Sequence, residues 1–149
     1  MKTLFDSTMN TEILERIEKL NSSSSPKWGK MNVEEMLAHL DLSLRVNFDE
    51  IELKKGLLGL FFSRITRIIL LGEKPYPKYL PAHKNVIAKE VSDFSTEKLK
   101  VKTSLEKYFT KGPNGISKKP HYILGKITQE ESALLTYKHI DHHLRQFGV

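Results

Sequence analysis

The sequence predicts an all-α fold: a bundle of four main helices with one additional short helix and long irregular connections. Three observations carry this. Apolar residues recur at three- and four-residue spacing in separate stretches, and two of those stretches open with a capping box. No segment alternates strongly enough to read as a sheet, and no internal repeat is present. The 149 residues suit a single domain, 1–149, large enough to bury a core.

The first helix is expected over Thr11–Leu20, where Ile13, Leu14, Ile17 and Leu20 share one face. The run Asn21-Ser22-Ser23-Ser24-Ser25-Pro26 ends it as a polar loop. Trp28, the sole tryptophan, precedes the second helix and reads as a core anchor. Asn32 as N-cap and Glu35 three residues later open that helix, which runs to about Phe48. Its apolar stripe is Val33, Met36, Leu37, Leu40 and Leu44.

The apolar run from Gly56 to Leu71 is interrupted by Arg64 and Arg67 and is shorter than a bilayer span requires. It reads as a helix packed on the domain, with an interfacial or homodimer-forming helix as the alternative. Three prolines (Pro75, Pro77, Pro81) exclude regular helix in the segment that follows, and irregular chain reaches about Asp93. Such a connection can cover one end of a bundle. A fourth amphipathic helix, Asp93–Thr110, carries Phe94, Leu99, Leu105, Tyr108 and Phe109 and stops at Gly112-Pro113-Asn114-Gly115. After a second irregular stretch, Ile116–Ile127, the last helix spans Thr128–Phe147. Thr128 and Glu131 make its capping box, and Gly148 its C-cap.

Composition excludes several chemistries. The chain has no cysteine, so disulfides, thiolate metal sites and a cysteine nucleophile are ruled out. The net charge is +6, yet the lysines are scattered without interleaved aromatic residues, and no helix-turn-helix or finger pattern appears. The basic surface therefore reads as solvated, with no nucleic-acid and no membrane partner. Met1–Asp6 has no apolar signal region, which points to the cytoplasm.

The last helix holds three of the six histidines within five residues. On a wheel of about 100° per residue, Ala133, Tyr137, Ile140, Leu144 and Phe147 form one apolar stripe. His139 and His143 lie on one flank, one turn apart, so their rings can reach a common point, while His142 falls opposite and should face solvent. A four-residue histidine pair suits a transition metal; it also occurs as plain polar edge. His39 stands to its own stripe as His139 does to its own, so two helices packed through their stripes can bring the three together.

Several segments resemble the DinB/YfiT-like superfamily of metal-binding four-helix bundles, in particular a bacterial branch catalogued as a domain of unknown function. They are Trp28-Gly29-Lys30-Met31 leading into Met36-Leu37-Ala38-His39, the Leu80-Pro81 segment, the His121-x-x-x-Gly125 turn, and Tyr137-Lys138-His139-Ile140-Asp141-His142-His143-Leu144-Arg145-Gln146-Phe147-Gly148. The resemblance covers nearly the whole chain. It implies a divalent metal, commonly nickel or zinc, held by His39, His139 and His143. It also implies a small-molecule substrate and either hydrolase or thiol-dependent transferase chemistry.

Three neutral imidazoles leave coordination positions open, where a metal can activate water or hold a low-molecular-weight thiol. Tyr137, Asp141, His121 and Arg145 are candidates for a supporting shell. Asp141 reads more readily as a surface ion pair and Tyr137 as core. The Tyr122-Ile123-Leu124 sequence departs from the aromatic-rich turn of that branch, which weakens a ligand or acid/base role for His121. Two further readings stand beside the enzyme: a non-catalytic metal- or ligand-binding bundle, and a metal-free polar cluster of histidines.

Overall fold

A computed structural model describes residues 3–53 and 63–149. Among them are five α-helices, two short 3-10 turns and no strand. An isolated bridge pairs His121 with Gly125. The helices are α1 (Ser7–Glu18), α2 (Val33–Val46), α3 (Ser63–Leu71), α4 (Phe94–Lys111) and α5 (Gln129–Gln146). The part of the expected third helix from Gly56 to Phe62 lies outside the described residues. No helix of the described residues is long and apolar enough to cross a membrane.

Side-chain caps set most boundaries. Asn32 and Glu35 exchange bonds of 2.8 Å each at the start of α2, and Thr128 and Glu131 do so at 2.9 and 3.2 Å at the start of α5. Asp93 caps α4 by accepting from the Thr96 amide. α1 begins a turn earlier than the apolar spacing suggests, because the Asp6 carboxylate accepts from the Thr8 and Met9 amides. The polar stretch Ser7-Thr8 hides that start from a periodicity argument. Phe147 is the C-cap of α5, and Gly148 follows in the left-handed region at φ 83°, where a Cβ would fall 2.5 Å from the Lys27 Cε.

The stripes of α2 and α5 pack inward as expected: Met36, Leu37, Leu40, Leu44, Ile140 and Leu144 are all essentially inaccessible. Fully burying side chains of this size contributes about 1.5–3 kcal/mol each. Along α4 the core side runs through Val101, Leu105 and Tyr108, and Leu99 is 65% exposed, so the stripe read there is only partly the buried one. Phe5 stacks on Tyr108 with centroids 4.8 Å apart.

α2 lies along α4, and the Ser104 hydroxyl donates to Asp41 at 2.5 Å between them. α5 meets α1, α2 and α3. The contact of α2 with α5 and with the 3-10 turn Lys84–Val86 positions the histidines described next.

Candidate metal centre

His39 from α2 and His139 and His143 from α5 converge. Their ring centroids form a nearly equilateral triangle with sides of 4.9, 4.8 and 4.8 Å. One nitrogen from each lies within 4.8 Å of the others. The Nε2 atoms of His39 and His139 are 3.0 Å apart.

Two of the rings are locked by partners that can only accept. His39 Nδ1 is 2.8 Å from the Val86 carbonyl, so Nδ1 carries the proton and the Nε2 lone pair faces the cluster. His143 Nδ1 is 2.8 Å from Gln146 Oε1. The Gln146 amide is oriented in turn, because its Nε2 donates to the Trp28 carbonyl at 2.7 Å. His143 must therefore donate through Nδ1 and present Nε2 to the centre. Gly29 makes room for this chain of bonds: its φ is 86°, and a Cβ there would lie 2.5 Å from Gln146 Nε2.

Burial is the main force on the protonation of all three rings, pushing each pKa down, with repulsion between neighbouring imidazoles adding to it. His143 falls to about 3 and His139 well below its usual value. All three are neutral at pH 7, the state a metal ligand requires. His39 and His143 are buried, and His139 is partly exposed.

The three imidazoles could hold a metal ion. Nitrogens about 2.1 Å from one ion, at angles between 90° and tetrahedral, stand about 3.0–3.4 Å apart, which brackets the observed His39–His139 separation. The Nδ1 locks match the way metal-binding imidazoles are held by carbonyl partners.

The remaining residues singled out from the sequence sit differently. His142 is buried rather than solvent-facing. The segment after α3 folds over that side of α5, and the His142 ring packs against Trp28 and Tyr76 at 5.8 and 6.0 Å. A wheel drawn from one helix contains no information about such a segment. Asp141 accepts from Arg16 at 2.8 Å, with Arg145 at 3.8 Å, and Arg16 also donates to the Val149 carbonyl. These residues clasp α1 to α5.

Tyr137 belongs to the hydrophobic core. His121 accepts from the Ile123 and Leu124 amides through Nδ1, closing its own turn, and is not among the clustered ligands. Trp28 is partly exposed rather than a core anchor; its carbonyl is the part that serves the centre. Gln146 stands one turn after His143 on the same helix, a spacing the sequence itself displays. Nothing in the local sequence marks Val86, whose contribution is main chain. A separate cavity of about 640 Å³, lined by Ala38, Asp41, Arg45, Lys84, Ile87 and Glu97 among others, shares the 3-10 turn with the centre but touches none of the three histidines.

Fold and site together define an all-helical domain carrying a three-histidine cluster able to hold a metal ion. The chain belongs to the family described as protein of unknown function (DUF1569), whose model matches residues 3–148. No match was found among curated proteins or among solved structures.

Proposed function

We propose that this protein is a metal-dependent enzyme of hydrolase or thiol-dependent transferase type, built as a DinB/YfiT-like four-helix bundle, in which His39, His139 and His143 hold nickel or zinc. The observation that carries this reading is the pair of acceptor locks, Val86 on His39 and Gln146 on His143, which leave the Nε2 lone pairs free in a cluster whose ligand atoms lie within 4.8 Å of one another. Without a metal, the 3.0 Å contact can be a hydrogen bond from a His139 Nε2–H to the His39 lone pair, and the His143 lone pair is the one left to be satisfied. When bound, a divalent ion supplies Lewis acidity, lowering the pKa of water or of a low-molecular-weight thiol. The protein's part is to keep the imidazoles neutral and oriented, and to leave an approach on the side of the partly exposed His139.

A second reading, a binding module without turnover, draws support from Asp141. This carboxylate, two residues from both His139 and His143, is engaged by Arg16 and is not poised as a base. Elemental analysis of untagged protein tests the metal site, with about one nickel or zinc per chain expected and a metal-free protein refuting it. Assay of the loaded protein against thiols paired with activated electrophiles, and against esters, separates the two readings. Metal-dependent turnover is expected for the enzyme and none for the module.

A further inference from the structure

α3 turns its isoleucines away from the protein. On a wheel of about 100° per residue, Arg64, Ile68, Ile65 and Ile69 fall within one arc of about 140°, and Thr66, Leu70, Arg67 and Leu71 within the opposite arc. Exposure follows that division. Ile65, Ile68 and Ile69 are 63%, 73% and 39% exposed, and Arg64 is exposed beside them. The four residues of the other arc are all part-buried.

Polar contacts with α5 select this orientation. Arg67, on the inner arc, pairs with Glu131 at the start of α5. The Lys138 ammonium donates to the Ile69 and Gly72 carbonyls at 3.4 and 2.6 Å, filling acceptors that a helix C-terminus leaves open. Turning the isoleucines inward would swing Arg67 away from Glu131. The chain therefore presents a short apolar ridge to the outside, and its surroundings are basic. Over residues 64–79 the charges are Arg64, Arg67, Lys74 and Lys78 against Glu73 alone, and Lys74 and Lys78 are exposed. The whole chain carries +6.

A second copy of the chain is a poor occupant for this ridge. Nine residues at about 1.5 Å each give a face only about 13 Å long, far short of the roughly 800 Å² per partner that a stable interface needs. Two copies would also bring surfaces of one sign together. A lipid surface sets no such minimum. Isoleucine side chains enter the head-group boundary individually, and anionic head groups complement Arg64, Lys74 and Lys78. We propose that the face of α3 formed by Arg64, Ile65, Ile68 and Ile69 docks the protein on an anionic membrane surface, the helix lying in the plane of the interface. The scattered lysines alone gave no reason to expect a membrane partner; the reason lies in apolar side chains that the tertiary fold turns outward. None of these residues takes part in the candidate metal centre, so the proposal is independent of the function proposed above.

The test is co-sedimentation of the full-length chain with vesicles of equal parts phosphatidylglycerol and phosphatidylcholine, and with vesicles of phosphatidylcholine alone. Binding is expected to the first and not to the second, and should weaken as salt is raised. Ile65→Ser with Ile68→Ser is expected to reduce the affinity about tenfold or more, and Arg64→Glu by about tenfold. Both changes fall on exposed positions, so the melting temperature should hold. Leu99→Ser is the control: Leu99 is 65% exposed on α4, away from this face, and its loss should leave vesicle binding as it was. No binding to the anionic vesicles, or equal binding to both kinds, would overturn the proposal. So would unchanged affinity in the double serine variant, which would reduce the attraction to charge alone. A free protein that sediments as a dimer, and as a monomer once Ile65 and Ile68 are serine, would give the face to a second copy and likewise overturn it.

Discussion

Gln146 sits three residues after His143 on the same helix, and its side-chain oxygen lies 2.8 Å from His143 Nδ1 while its nitrogen binds the Trp28 carbonyl. One amide thereby connects the α1–α2 loop to the orientation of an imidazole in the candidate centre. Replacing it with leucine leaves the Trp28 carbonyl and the His143 N–H without partners. Metal affinity, read by chelator competition, is expected to fall about 10- to 100-fold, and stability by about 1–3 kcal/mol. An unchanged chelator midpoint would show that His143 does not depend on this partner.

His143 and His142 are neighbours with different tasks. His143→Ala is expected to bring metal content close to zero. His142→Ala should keep the metal but lower the melting temperature, because it removes a buried ring packed between Trp28 and Tyr76. Metal analysis and thermal unfolding on both variants check this. Equal metal loss in the two would reject the ligand assignment.

The Arg16–Asp141 pair is expected to bear on stability and not on metal binding. Their side chains are 12% and 23% exposed, and Arg16 also holds the Val149 carbonyl. Asp141→Asn keeps the shape and removes the charge, and is expected to cost about 1–3 kcal/mol in denaturant unfolding. Metal stoichiometry should not move. A drop in metal content without a drop in stability would place Asp141 in the centre after all.

What the sequence made legible follows from the range of each interaction. The boxes Asn32/Glu35 and Thr128/Glu131 and the stripes of α2 and α5 are local, and the chain states them outright. The meeting of His39 with His139 and His143 was readable as a consequence of packing two stripes together. What could not be read came from segments without periodicity. The Val86 carbonyl and the Tyr76 segment reach the centre from the 72–93 connection, and the latter buries His142 against the expectation of its own helix. Leu99 misled for a related reason: α4 buries Ser104 and Glu97 on its inner side, each with a polar partner, so an apolar count alone places the stripe wrongly.

His121 supplies a pH prediction away from the cluster. Burial lowers its pKa to about 4, and its neutral Nδ1 accepts two backbone amides at 3.2 Å. The unfolded ring titrates near the usual value, about 6.5. Between these two values the unfolded chain binds a proton that the folded chain refuses, so folding stability must fall as the pH falls. The contribution is complete above about 6.5 and is lost progressively down to about 4. His121→Asn supplies a non-titrating acceptor at the same turn. Urea unfolding of wild type and variant from pH 7 to pH 4 should show a shallower loss for the variant. Parallel curves would mean that the His121 ring is free to protonate in the folded protein.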